Sequence, residues 1–473
     1  MMNQTRCRLF GSVAVGVVIS SVVPALAQDV PPLPSAEGPI AEQVGNQQHP
    51  SRRGPTLGQA TMSDWPEEGE PEYFGYVEDE FFVSGEANGA PYTTRIVFRH
   101  PADVEDFSGF VAIETLHPAQ SAQMWMATRI GGMLNGHGYV EVVNAPGLID
   151  SLKGFNAARY EDLGIEGAVT AEGQPDPAAN PIIAQVAHLV KTANPLGEDW
   201  NADWLVMTGA SYTSRTAMNF MEQADGNPAY RMEDGSSLID AMYVWDTNGP
   251  TQDVLDSVYD VPVIILATQT EWMPSPNPDE PRSRDTAVDS DEAGQQYRLY
   301  QVAGMPHLEA REMQEAGTEA CLQPLDHFMF NAMVYQGLEH MHEWLANDVP
   351  PPMAPRTEFE AAENDAAFVT DEFGNATGGV RSPQVEVPTH RFITPNPGEG
   401  FLCTLSGTVE PLSADQLRTL YKSPADHAQQ LTEAANRLIE ERWFPSEYLF
   451  EISDEIRRVR PLLDEALHEQ PAP

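Results

Sequence analysis

Lysine is nearly missing from this chain: Lys153, Lys191 and Lys422 are the only ones among 473 residues. Twenty-six basic residues stand against 71 acidic ones, for a formal net charge of −45. A field of that sign repels nucleic acid and anionic membrane surfaces, and it makes anionic polymers poor substrates. The carboxylates read as spread over a solvated surface, as in proteins of saline habitats, rather than as an acidic binding tail. Cysteine is also scarce, at three. After the first 27 residues no apolar run is long enough to cross a bilayer.

The one long apolar run opens the chain, MMNQTRCRLFGSVAVGVVISSVVPALAQD. Arginines, then small and β-branched residues, then Ala25-Leu26-Ala27 form the pattern of a secretory signal peptide cut after Ala27. A retained anchor is the competing reading, and the Ser and Pro interruptions oppose it. The expectation is export from a bacterial cell to the periplasm or medium. Cys7 leaves with the leader, no cysteine follows the cut to accept lipid, and no membrane anchor remains. Cys321 and Cys403 are then an even number of thiols in an oxidising compartment, so a disulfide is expected against two separate buried thiols. Closing that long loop is worth roughly 4 kcal/mol or more in the chain-entropy picture.

Residues 28–70 lack apolar period and read as an irregular arm. From Tyr73 onward short apolar runs alternate with helical periods. Strands are expected over 73–85, 93–101, 107–118, 138–147, 204–209, 238–249, 261–272 and 296–304, the first two joined by Asn88-Gly89. Helices are expected over 120–136, 181–193 and from Tyr212. The alternation means a mostly parallel central sheet with helices on both faces, an α/β fold with its core over 71–352. The connection 148–180 is long enough for a lid. Residues 353–465, with periods such as 427–444, form a C-terminal helical appendage that packs on the core and frames the active site.

In such sheets chemistry sits where strands end at their carboxyl edge. Four residues stand there: His117, Ser211, Glu271 and His307. Attack on an acyl carbonyl needs a hydroxyl, a base to take its proton and an acid to orient the base. Ser211, Glu271 and His307 occur in that chain order, each after a strand. Each has a plainer reading. A serine at a helix start is often a cap, and a glutamate after a strand is often solvated. The turn Gly209-Ala210-Ser211-Tyr212-Thr213 has threonine where a second glycine is common, which crowds it slightly. Oxyanion donors are expected from the N–H of Tyr212 and from Leu116 or His117, since Pro118 has none. The His117 side chain reads equally as a hydrogen-bonded wall residue.

These stretches resemble the alpha/beta hydrolase domain family of large, mostly secreted bacterial proteins. The elbow 209-GASYTSR-215, the strand end 268-TQTE-271 and 302-VAGMPHLEA-310 carry the likeness, with 321-CLQPLDH-327, 344-WLANDVPPP-352, 374-GNATGGVRSPQVEVPTHRF-392 and 418-RTLYKSPADH-427 more specific still. The resemblance implies an α/β-hydrolase fold with esterase-like activity and maps nucleophile, acid and base onto Ser211, Glu271 and His307. The chain departs from the pattern at Tyr212, where Gln is expected, and at Glu271, where Asp is common.

No cofactor is called for, and no metal. His340 and His342 are two apart, whereas helical zinc pairs use a spacing of four. Asp285, Asp289, Asp291 and Glu292 lack the alternation and glycine of a calcium loop. Met124, Trp125 and Met126 read as helix packing, with an acyl pocket as the alternative. The expected function is hydrolysis of a small-molecule carboxylic ester through an acyl-enzyme. An amidase or peptidase with the same triad, or a catalytically silent binding scaffold, are the competing readings.

Overall fold

A computed structural model of the chain describes residues 30–40, 70–169, 177–250, 254–256, 259–271, 287–308, 321, 328–361 and 366–468. The leader at 1–27, Asp285 and residues 170–176 of the long connection lie outside the described residues. The centre is a nine-stranded sheet in the order β1-β2-β3-β5-β4-β6-β7-β8-β9. The strands are β1 Ser35–Glu37, β2 Tyr76–Ala87, β3 Ala90–Pro101, β4 Phe110–Thr115, β5 Gly138–Val142, β6 Trp204–Ala210, β7 Ala241–Trp245, β8 Val263–Thr268 and β9 Tyr297–Val302. β1, β2 and β3 run antiparallel, and β5 through β9 pair parallel. Apart from the half-buried Trp204 at the start of β6, the parallel strands are buried along their whole length, as strands covered on both faces must be. This is the α/β-hydrolase fold.

The β2–β3 hairpin closes through Asn88 and Gly89, at φ of 53° and 77°. Two left-handed residues match the right-handed strand twist, which is why Asn-Gly is favoured there. Residues 28–70 are not wholly irregular: Ser35–Glu37 adds an antiparallel edge strand, so the sheet begins well before residue 71. Its three residues are all exposed, held by backbone pairing with β2 and by the Ser35 hydroxyl donating to Ser84 O at 3.3 Å, so no apolar pattern announces it.

Helices α1 Gln123–Leu134, α2 Pro146–Phe155, α3 Asn180–Thr192, α4 Tyr212–Ala224 and α5 Phe330–Asn347 cover the sheet. Met124, Trp125 and Met126 of α1 are all buried. The described part of the 148–180 connection is packed into the body. Leu148, Ile149, Leu152, Tyr160, Leu163 and Ile165 are buried, and Gly164 exchanges backbone hydrogen bonds with Thr93 at 2.7 and 2.8 Å. Asp289 and Asp291 pair with Arg356 and Arg298 rather than standing free in solvent.

Two of the few basic residues lie inside the antiparallel part of the sheet. Arg95 and Arg99 of β3 are fully buried. Arg95 bonds Glu141 of β5 at 2.6 Å and also Glu80, while Arg99 bonds Glu78 at 2.7 Å and Glu141 at 3.2 Å. Breaking such a buried pair by removing one partner costs about 3–5 kcal/mol, because the other charge is left in a low dielectric.

The C-terminal region contains α6 Pro424–Glu440 and α7 Leu449–His468, and also two small hairpins, Phe359–Ala361 with Ala366–Phe368 and His390–Ile393 with Thr408–Pro411. It is therefore less purely helical than its apolar periods suggest. Leu431, Leu438, Phe444, Tyr448 and Ile452 join the same buried core as the sheet. Val380 lies beside β9, its N–H donating to Gln301 O at 2.7 Å while its carbonyl accepts from Ala303 N–H at 2.9 Å. Cys321 and Cys403 form a disulfide across a sequence separation of 82, with Cα atoms 5.3 Å apart.

Glu114, on β4 under the β6–α4 junction, is fully buried. It accepts the Met124 N–H at the start of α1 at 3.0 Å and the Tyr139 hydroxyl. Burial pushes its carboxyl up to about 7, against those hydrogen bonds. A raised acid contributes stability below the unfolded value and loses it as pH rises through the folded one. We predict that wild-type stability falls by up to about 3 kcal/mol between pH 5 and pH 8 through this group. In Glu114→Gln that slope, read from urea melts at each pH, flattens whatever the absolute offset; an unchanged slope contradicts the assignment.

Candidate active site

Strand β6 ends in a turn that only a glycine permits at its first position. A Cβ on Gly209 would stand 2.5 Å from the Thr213 carbonyl, far inside contact distance. Ser211 follows at φ 50° and ψ −109°, a left-handed conformation that a residue with a side chain rarely adopts. It occupies the N-cap position of α4, yet its side chain makes no capping hydrogen bond. The plain reading of this serine as a helix cap therefore fails. Strain of order 1–3 kcal/mol persists only where surroundings over-determine it, and it clusters at functional sites.

Those surroundings are visible. Thr213 Oγ1 accepts the Ala210 N–H at 2.8 Å and donates to Ala210 O at 2.9 Å. Rather than crowding the turn, the threonine ties it. Ser211 N–H and Ser214 Oγ both donate to Trp245 O, at 3.1 and 2.6 Å, which fixes the elbow to the end of β7.

Glu271 and His307 follow β8 and β9, adjacent parallel strands. The His307 Nδ1–H donates to Glu271 Oε1 at 2.6 Å. Glu271 is itself held by the Thr268 hydroxyl, and the His307 N–H donates to Thr270 Oγ1 at 3.1 Å. The next residue, Leu308, donates to Leu405 O at 2.9 Å, so the C-terminal region braces the histidine loop. With Nδ1 protonated toward the carboxylate, Nε2 is left as the basic nitrogen. Among the described residues, Ser211 Oγ makes no hydrogen bond to His307. The structure brings Glu271 and His307 together and sets Ser211 just past the end of β6, with β7 lying between β6 and β8.

Asp246 was not singled out from sequence. It ends β7 at φ 53°, is 5 % exposed, and places Oδ2 3.8 Å from His307 Nε2. Its signal was present: it closes the apolar run 238-LIDAMYVWDTNG-249 at the same sheet edge as the other candidates. Asp246, Glu271 and His307 together are close enough to hold a cation, each offering one atom within 4.8 Å of the others.

Two expected oxyanion donors are committed elsewhere. The Leu116 N–H donates to Val142 O at 2.8 Å, extending the β4–β5 pairing, and the His117 N–H donates to Ser121 O at 3.1 Å within its own turn. The His117 side chain is better placed. Its Nδ1 accepts the Ala119 N–H at 3.0 Å, which puts the ring proton on Nε2. The ring packs edge-on to Tyr212 at 5.8 Å. Burial and the nearby His307 push its pKa down to about 4, so it is neutral at ordinary pH. Tyr212 opens α4, where backbone N–H groups and the positive end of the helix dipole converge.

A sequence profile described as an alpha/beta hydrolase domain matches residues 36–452. No curated protein matches the sequence. Among solved structures, a cold-adapted esterase from an Arctic intertidal metagenomic library is 12% identical over 40% of this chain and 71% of its own, with a TM-score of 0.23. Brefeldin A esterase, a bacterial homologue of human hormone-sensitive lipase, is 12% identical over 41% of this chain and 60% of its own, with a TM-score of 0.26. Likenesses this slight say nothing about chemistry in this chain.

The elbow makes a direct prediction. Thr213→Val keeps the shape but strands two Ala210 backbone groups, and should cost about 1–3 kcal/mol in urea melts, whereas Thr213→Ser keeps most of the stability. Equal loss in both variants would show that the methyl, not the hydroxyl, holds the turn.

Proposed function

The chain belongs to the alpha/beta hydrolase domain family, and from that premise we propose that it cleaves carboxylic esters by acyl transfer through Ser211, His307 and Glu271. What supports this reading is the uncapped serine in strained backbone just past the end of β6, together with an imidazole fixed on Glu271 at 2.6 Å past the ends of β8 and β9.

Ser211 Oγ attacks the ester carbonyl carbon while His307 Nε2 takes its proton. Glu271 keeps the imidazole in the reactive tautomer and stabilises the imidazolium. Rotation about the serine side chain closes the distance to Nε2 as substrate enters; catalytic hydrogen bonds are often long before substrate binds. Negative charge gathers on the carbonyl oxygen, which accepts from the Tyr212 N–H and from His117 Nε2–H. The tetrahedral adduct collapses, the C–O bond breaks, and the alcohol leaves with the proton from His307. Water then repeats the sequence on the acyl-serine and releases the acid. Asp246, on the Nε2 side, adds negative charge that favours the transient imidazolium.

The protein acts outside the cytoplasm. The leader pattern over 1–27 and the disulfide, which persists in oxidising compartments, support export. No helix among the described residues is long and apolar enough to cross a membrane.

A panel of nitrophenyl esters and nitroanilides tests the proposal. Wild type should hydrolyse the esters far faster than the anilides, and Ser211→Ala should lose at least about 10³-fold in kcat with its melting curve intact. Full ester turnover in Ser211→Ala overturns the assignment, comparable anilide rates turn it toward an amidase, and no turnover with no fluorophosphonate labelling favours a silent scaffold. His117→Phe should lower kcat by about 10²–10³-fold with little change in KM, as removal of an oxyanion donor does. A loss confined to KM would make His117 a wall residue.

A further inference from the structure

The edge of the sheet away from Ser211 holds a second cluster of chemistry-bearing side chains. His137 lies in the turn from α1 into β5, its ring 4.8 Å from that of Phe110, the first residue of β4. Glu339 and His342 stand one turn apart on α5, a spacing that puts both on one face. Glu339 Oε2 is 3.8 Å from His137 Nε2, and Glu339 Oε1 is 3.8 Å from His342 Nδ1. One donor atom from each residue lies within 4.8 Å of the other two.

These separations are too long for hydrogen bonds. His137 Nε2 and His342 Nδ1 are buried atoms without a hydrogen-bond partner among the described residues, and His137 is only 3 % exposed. Leaving a buried polar atom unsatisfied costs about 1–3 kcal/mol, so two such nitrogens facing one carboxylate need an occupant. A tetrahedral zinc with bonds of about 2.0–2.1 Å sets its ligands roughly 3.3 Å apart. The cluster reaches that spacing by contraction of less than about 1.5 Å, within the reach of a glutamate arm.

The surroundings orient the donors as metal ligands require. Ser108 Oγ accepts the Phe110 N–H at 3.2 Å and lies 2.9 Å from His137 Nδ1. With Nδ1 donating to that oxygen, the Nε2 lone pair faces Glu339. The Tyr335 hydroxyl donates to Glu339 Oε2 at 2.8 Å. The Phe110 and His137 rings pack on the His342 ring at 5.3 and 4.6 Å. His342 and Glu339 keep 18 % and 22 % side-chain exposure, which leaves a way in for an ion and a water.

We propose that His137, Glu339 and His342 form a Zn²⁺ site, with water as fourth ligand, that clamps α5 to the turn before β5. Two imidazoles and a carboxylate without thiolate suit a borderline divalent ion such as zinc, whereas calcium and magnesium require oxygen ligands. The site departs from the expectation of no metal, and it is not the His340–His342 pair weighed from sequence. His340 Nε2 turns away to donate to Arg442 O at 2.8 Å. The true partner of His342 is supplied by a turn far upstream.

The test uses tag-free full-length protein stripped with chelator. Zn²⁺ should bind at one equivalent per chain and raise Tm by several degrees, Mg²⁺ should do neither, and Co²⁺ should give the visible absorption of a four-coordinate ion. His342→Ala should abolish the cobalt spectrum and the Tm shift. Glu339→Gln, which keeps the packing if His342→Ala folds poorly, should weaken zinc binding at least tenfold. Absence of stoichiometric binding in the wild type overturns the site, as does a cobalt spectrum that survives in Glu339→Gln and His342→Ala. Turnover of esters is read separately, so a failure of the zinc site leaves the triad proposal standing, and the reverse.

Discussion

The hydrogen bond from His307 Nδ1–H to Glu271 is the constraint to which the rest of the functional architecture answers. It decides which ring nitrogen is basic and where that nitrogen faces. Each partner is fixed from a different direction. Glu271 is held by Thr268 at the end of β8, and His307 by Thr270. Because β8 and β9 are adjacent and parallel, residues just past their ends meet without any long reach. The same rule sets Ser211 beside Asp246, since Ala210 and Trp245 are in register one residue earlier.

The loop carrying His307 is braced by the C-terminal region. Val380 pairs along β9, Leu405 accepts from Leu308, and Phe392 and Val385 crowd Gly304 so closely that a Cβ there would meet Phe392 at 3.1 Å. The disulfide joins Cys321 to Cys403, two residues before Leu405. Tyr448, on the way into α7, reaches across to α1, its hydroxyl 3.3 Å from Ala127 O. The region is thus a buttress of the histidine loop more than an appendage. Its fold is split between helices and hairpins because short paired segments, not a long apolar face, make those contacts.

Much of this was legible in the chain itself. Buried parallel strands are continuous apolar runs, and each expected run from 107 to 304 contains a strand, most of them shorter than the run, while 204–209 extends by one residue to Ala210. Asn88-Gly89 marked its hairpin. What escaped is physically of one kind. β1 is held by backbone pairing and one serine hydroxyl, which no apolar pattern encodes. The commitment of the Leu116 and His117 N–H groups depends on Val142 and Ser121, which pattern cannot bring near. The tie between Thr213 and Ala210 looked like crowding because spacing shows bulk but not hydrogen bonds. Asp246 followed the same strand-end rule as its neighbours, yet read as an ordinary stop to an apolar run.

The most direct measurement of the central claim is a crystal structure of the protein inhibited by a phosphonate ester. The account predicts phosphorus bonded to Ser211 Oγ, His307 Nε2 within about 3.2 Å of that oxygen, and the His307–Glu271 bond retained. The phosphoryl oxygen should face the Tyr212 N–H and His117 Nε2. An adduct on another residue, or an imidazole still turned to Asp246 and beyond reach of the modified serine, would contradict it.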